Sequence, residues 1–148
     1  MLGDEQWESL LAWHDRTLRE CFEACAGEEV KHEGDGFFVA FAESESALDC
    51  ACSIQGSLRD HRRDHGFAPR VRIGIHATEA TDRGGDYSGR GVHETARIAA
   101  AASAGEIIAS QDTLEAAGKA FRAVNERSLE LKGLAEPVTV ATVDWSDG

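Results

Sequence analysis

The sequence lacks any run approaching the ~20 apolar residues that cross a bilayer as a helix. Its opening, Met1-Leu2-Gly3-Asp4-Glu5, has neither the basic start nor the apolar centre of a secretory leader, so a cytoplasmic protein is expected. Positive charge is also scarce: 15 Lys and Arg stand against 27 Asp and Glu, for a net charge of −12. That balance repels a phosphate backbone and an anionic lipid surface, which argues against nucleic-acid and membrane partners. Any phosphate-bearing ligand must be held locally, by a few cations or a metal. Cys21, Cys25, Cys50 and Cys52 lack Cys-x-x-Cys spacing and fall in apolar helical patterns, so they read as reduced core thiols rather than zinc ligands or disulfides. No internal repeat or low-complexity linker is present, and 148 residues suffice for one domain burying about 70% of the surface its unfolded form exposes.

What the chain does contain is clear periodicity. Residues 5 to 26 read as an amphipathic helix, with Trp7, Leu11, His14, Leu18, Cys21 and Cys25 recurring at steps of four and three. Asp4 is the expected N-cap and Gly27 the expected C′ residue, and His14 lies on the packed stripe. A second helix is marked by Ala47, Leu48, Ala51, Ile54, Gln55 and Leu58 and ends near His61 to Gly66. The arginines between His61 and His65 suggest a solvated helix end. Arg70 to His76 alternates strictly, with Val71, Ile73 and Ile75 on one face, and predicts a half-buried strand. Thr78 to Gly91 holds four glycines and reads as a functional loop. A helix over Val92 to Ala102, a strand over Glu106 to Ala109, a small helix near 111–117 and strands near Val124 to Leu131 and Val138 to Val143 complete the pattern.

Between the first two helices lies Val30-Lys31-His32-Glu33-Gly34-Asp35-Gly36-Phe37-Phe38-Val39. Glycines on both sides of Asp35 free the backbone for a tight turn and for close approach of a ligand, so its carboxylate falls at a hairpin tip. The pattern fits a metal or phosphate site and an ordinary hairpin turn alike. The order helix, strand, strand, helix, strand is what remains of a βαββαβ ferredoxin-like unit without its first, central strand. A sheet so interrupted leaves ladder groups to be paired by another segment or chain.

Several segments jointly resemble the class III adenylyl/guanylyl cyclase catalytic domain, particularly its bacterial branch. They are Trp13-His14-Asp15, the Asp35 hairpin, Val71-Arg72-Ile73-Gly74-Ile75-His76, the stretch Gly85 to Ile98, Gly105 to Ser110, and Leu131 to Val138, in family order over nearly the whole chain. The resemblance implies an α+β cyclase homology domain of ferredoxin-like type, antiparallel-rich, with helices packed on the sheet and the N-terminal central strand missing. It implies two divalent ions, Mg²⁺ or Mn²⁺, with Asp35 matching one of two metal aspartates; such a pair activates and charge-neutralises attack of the ribose 3′-oxygen on the α-phosphate. Lys31 and Asp86 match the pair that reads the adenine edge, which leans to ATP over GTP. Arg97 matches the arginine that stabilises charge developing on the phosphate, and Lys132 a lysine that contacts the phosphates.

Two departures stand out. The segment that carries the first metal aspartate in the family should lie just before Leu2, and His93 stands where the family has an asparagine that orients the ribose. Imidazole does not offer the paired donor and acceptor of an amide, and its charge varies near neutral pH. The resemblance further implies a head-to-tail homodimer with sites at the interface. The expected function is therefore that of an adenylate cyclase-type domain making cyclic AMP and pyrophosphate, impaired or inactive as this chain. The alternatives are a degenerate cyclase homology domain acting in nucleotide binding, dimerisation or regulation, and an unrelated ferredoxin-like binding module.

Overall fold

The first helix, α1 (Asp4–Ala24), buries His14, Leu18 and Phe22 and leaves Trp7 exposed, as its stripe predicts for the inner positions. Both predicted caps shift. Gly3 is the N-cap, in extended conformation, and its N–H donates to Gln6 Oε1 at 3.2 Å. The helix ends in a Schellman motif: Ala26, at φ 59°, donates to the Glu23 carbonyl and Gly27 donates to that of Phe22. Gly27 is needed for space instead, since a Cβ there would lie 2.7 Å from the Phe41 ring and 2.9 Å from Val39. Packing, not turn geometry, selects that glycine.

The computed structural model describes residues 3–33, 36–66, 68, 70–77, 81–83, 86–88, 90–118, 121–131 and 136–145. After α1 come β1 (Glu28–Glu33) and β2 (Gly36–Ala40), an antiparallel hairpin in which Glu33 pairs with Gly36, Lys31 with Phe38 and His32 with Phe37. Helix α2 (Ser44–His65) follows, closed by Gly66 at φ 84°. Its buried Leu48, Ala51, Ile54, Gln55 and Leu58 match the predicted stripe. The helix end is solvated as expected over residues 63–66, while His61 is half-buried, stacking on Trp13 with ring centroids 3.8 Å apart and so tying α2 to α1.

Strand β3 (Ile73–Ile75) is shorter than the predicted 70–76 stretch. The Val71 carbonyl instead accepts from Gln55 Nε2 and from the Gly105 N–H. The segment expected to be a loop contains a second hairpin, β4 (Thr81–Arg83) with β5 (Asp86–Ser88). Its strands are polar and three residues long, so hydrophobic alternation cannot reveal them. Then follow α3 (Arg90–Ala101), β6 (Ile107–Ser110), α4 (Gln111–Ala116), β7 (Ala123–Leu129) and β8 (Val138–Val143).

The main sheet has the order β3-β6-β8-β7, with β3 parallel to β6 and the other pairs antiparallel. The fold is α+β, as expected. Strand β6 is buried along its whole length. Ile107 and Ala109 join Leu48, Ala51 and Val143 on the α2 side, and Ile108 joins Ile98, Ala102 and Val140 on the α3 side. A third cluster, Leu18, Phe22, Cys50, Ile54 and Leu58, fills the space between α1 and α2 and receives Phe37 and Val39 of the hairpin. All four cysteines are free thiols, and burial pushes the Cys50 thiol well up. Among the described residues β3 pairs only with β6, and β2 only with β1.

Two substitutions test this packing. A Cβ on Gly74 would lie 2.6 Å from Ala99 Cα and 2.8 Å from its Cβ, whereas one on Gly56, inside α2, would meet only Arg59 Nη2 at 4.0 Å, an ordinary contact. Gly74→Ala should cost about 1–3 kcal/mol by overpacking, while Gly56→Ala should stabilise by up to about 1 kcal/mol, both read by urea denaturation. The third test is Glu106. Burial alone would raise its carboxyl, but hydrogen bonds from Thr142, the Ser103 N–H and Arg127 hold it below the usual value. A depressed carboxyl contributes stability above its unfolded pKa and loses it as pH falls through the folded one. Glu106→Gln should therefore be less stable than the parent at pH 7 and converge with it as the solution is acidified toward pH ~3.

Candidate functional site

Helix α3 presents two chemically different faces. Ile98 is fully buried and Glu94, one turn earlier, turns inward, while His93 and Arg97, also one turn apart, are exposed. Neither His93 nor Arg97 makes a hydrogen bond or ion pair with another described residue. An imidazole and a guanidinium on neighbouring turns form a donor-rich surface suited to an anionic ligand. Strand β5, which begins at Asp86, lies beside this helix.

Of the other residues singled out from the sequence, Lys31 occupies a backbone position in β1 opposite Phe38, and Asp86 one in β5 opposite Arg83. Asp35 and Lys132 lie outside the described residues. The structure thus brings His93 and Arg97 together on one helix face and puts the Asp86 strand at its side.

A polar chain that periodicity did not single out runs beneath α3. His76, just past β3, has Nε2 2.8 Å from Glu94 Oε2 and Nδ1 2.9 Å from Ser110 Oγ. Ser110 Oγ is 2.7 Å from Thr113 Oγ1, and Thr113 Oγ1 accepts the Ala77 N–H at 2.7 Å. Ser110 is also the N-cap of α4. Glutamate, histidine and serine in contact are the groups of a hydrolytic triad. Here, however, Ser110 is 1% exposed and its oxygen is already engaged by Thr113, so no substrate carbonyl can reach it. The sequence did hold a signal for this chain: a serine three residues before a threonine at a helix start, and a histidine closing an alternating strand.

Arg19 of α1 holds the β1–β2 hairpin. Its Nε donates to Glu29 Oε1 at 2.8 Å, Nη2 lies 3.3 Å from Glu29 Oε2, and the guanidinium sits 5.1 Å from the Phe37 ring centre. His32 stacks on the other partner of that register, Phe37, at 4.2 Å. The side-chain hydrogen bond with Glu29 raises the Arg19 pKa, and the same bond lowers that of Glu29. The hairpin bearing Lys31 is therefore clamped to α1 by charge and by an aromatic face. Among the described residues no group of three or more His, Cys, Asp or Glu side chains converges as a metal site, so those residues alone do not supply the donor set of a two-metal centre.

No protein-family model matches the chain. An uncharacterized protein of Mycobacterium tuberculosis is 30% identical over 112 residues, which cover 74% of this chain and 36% of that protein. The chain thus spans about a third of that relative. Putative adenylate cyclase 3 of Rhizobium meliloti is 30% identical over 124 residues, 81% of this chain and 21% of that protein. Among solved structures, the guanylyl cyclase Cya2 superposes with a TM-score of 0.80 at 25% identity, over 96% of this chain and 82% of that one.

The Arg19 clamp generates one prediction. Arg19→Ala should speed amide hydrogen exchange several-fold across Glu28–Glu33 and Gly36–Ala40 while leaving β6 protected. Uniform acceleration of both regions would show that the arginine does not act locally.

Proposed function

We propose, from the premise that this chain is a cyclase homology domain of the class III adenylyl/guanylyl type, that it binds an ATP-like nucleotide at an adenylate cyclase-type site impaired in turnover. The observation that carries this reading is the exposed His93 and Arg97 pair on α3, without a partner among the described residues of a chain whose net charge is −12. In so acidic a protein a cation with no internal partner is where a phosphate would bind. The planar guanidinium offers a fork of donors that matches phosphate oxygens and stabilises the charge developing on them.

Lys31 and Asp86 are assigned the base. Adenine presents an amino donor beside a ring-nitrogen acceptor, which suits a carboxylate and an ammonium respectively; guanine reverses both groups. Lys132 is assigned to the phosphates, and Asp35 to an Mg²⁺ or Mn²⁺ ion. Impairment is argued from His93, because an imidazole cannot supply donor and acceptor together in the geometry of the amide that the family resemblance places there. The same resemblance supports a head-to-tail homodimer in which the Arg97 face of one copy completes the site of the other. The regulatory reading, in which the domain binds nucleotide or a partner without turnover, draws on the same His93.

Incubation of the purified protein with ATP and Mn²⁺ tests the assignment. Slow formation of cyclic AMP is expected, abolished by Arg97→Ala and by Asp35→Ala and raised about tenfold or more by His93→Asn. Calorimetry that detects no metal-dependent ATP binding would overturn the nucleotide site. Nucleotide binding without turnover in either the parent or His93→Asn would leave the regulatory reading in its place.

A further inference from the structure

We propose that the His76–Glu94 pair is a positioning device for the exposed face of α3, in which the Glu94 carboxylate places the proton on His76 Nε2 and the hydroxyls of Ser110 and Thr113 accommodate Nδ1. The inference rests on the nucleotide-site reading only for its effect on turnover; the geometry behind it stands independently.

Among the described side chains, Ile98 enters the cluster with Ile108 and Val140, and Ala99 lies against Gly74. Both belong to the second half of the helix. Apolar contacts are non-directional, so they set how closely the helix approaches more firmly than how it is rotated. The Glu94–His76 bond lies one turn nearer the N-terminus, at 2.8 Å between groups whose side chains are 18% and 8% exposed. It is directional, and it joins α3 to the end of β3. Because His93 immediately precedes Glu94 and Arg97 follows three residues later, a rotation of the helix that breaks this bond moves both exposed side chains together.

The carboxylate makes the bond selective. The Glu94 carboxylate only accepts, so His76 Nε2 must carry a proton to bond it. A neutral imidazole then has Nδ1 as acceptor, and Ser110 Oγ–H can donate to it at 2.9 Å. Ser110 Oγ in turn can accept from Thr113 Oγ1–H at 2.7 Å, while Thr113 Oγ1 accepts the Ala77 N–H. Thr113 Oγ1–H has two acceptors in reach, Ser110 Oγ at 2.7 Å and the Ile75 carbonyl at 3.5 Å, so the hydroxyl run joins α4 to the His76 ring and can serve Nδ1 as donor or as acceptor. Ser110 and Thr113 are 1% and 0% exposed, so water does not compete for these bonds. The residues at the two ends, Glu94 and Thr113, come from α3 and α4, and His76, at the C-terminal end of β3 beside that of β6, is the joint between them.

Long-range ¹H–¹⁵N correlation of the imidazoles, with signals of Arg97 Nε–H and of the Ile98 methyls, tests the pair without relying on activity. In the parent protein His76 Nε2 should carry a proton, and Glu94→Ala, which removes its acceptor, should mix in the Nδ1–H form. Glu94→Ala should displace the His93 and Arg97 signals and leave the Ile98 methyls in place, whereas Glu94→Gln, whose amide oxygen still accepts from Nε2–H, should restore the parent pattern. On turnover, Glu94→Ala is expected to lower kcat about tenfold with KM changed less than about twofold, and Glu94→Gln to recover most of kcat. Arg97 and His93 signals at parental positions in Glu94→Ala would overturn the proposal, as would Ile98 methyls displaced as far as Arg97. If the parent protein forms no cyclic nucleotide, the turnover arm fails with the functional reading, and the spectroscopic arms still decide the positioning role.

Discussion

The close approach of α3 to β3 is the constraint on which the exposed face of the molecule depends. A helix lies this near a strand only where the strand offers no side chain, and Gly74, with Ala99 against it, supplies that gap. Once the backbones are that close, Ile98 reaches Ile108 and Val140, and the helix is committed to one inner face. The outer face follows by helical geometry: with Ile98 and Glu94 inward, His93 and Arg97 must face out. The fully buried strand β6 transmits the same constraint to the rest of the fold, since its alternate residues pack on α2 and on α3. A change in the spacing of α3 would therefore be felt on both sides of the sheet.

Electrostatics adds a second layer. Arg19 is paired with Glu29, Arg63 with Asp60 and Asp64, Arg122 with Asp144, and Arg127 with Glu106. Most of these pairs are at least partly exposed and contribute little stability individually. Their consequence is instead a distribution of field. Where cations are matched locally by carboxylates, they offer nothing to a dianionic or trianionic ligand, and the surplus of acid repels it. A guanidinium outside those pairs, such as that of Arg97, stands out on such a surface.

The fold was legible in the sequence wherever one physical signal dominated. Amphipathic stripes located α1 and α2, an alanine-rich stretch located α3, and short apolar segments located β6 and β8, each within a few residues, because burial of one face is what those elements exist to achieve. The failures have a common cause. Gly27 and Gly74 are both glycines for want of space, a property of the facing element and invisible to local pattern. The hairpin of β4 and β5 has polar three-residue strands, too short for alternation to register. At the site, Arg97 and His93 could be singled out only by resemblance to a family. The His76, Glu94, Ser110 and Thr113 chain joins residues up to 37 positions apart, from His76 to Thr113, and became visible only when the strands were placed.

Residues 93 and 94 stand in opposite structural settings. They are adjacent in sequence and face opposite ways, His93 outward and Glu94 inward. The His93 side chain is exposed and has no hydrogen-bond partner among the described residues, so an amide in its place would disturb no hydrogen bond among them. The partner of Glu94 is buried, and truncating it would strand the His76 ring with a proton and no acceptor, at a desolvation cost of about 1–3 kcal/mol. A change at 94 thus breaks an internal bond, and a change at 93 breaks none among the described residues. The imidazole at 93 sits on the exposed face of α3, and the scaffold that presents it is built from the residues facing the other way; a fold of this kind does not by itself fix an activity.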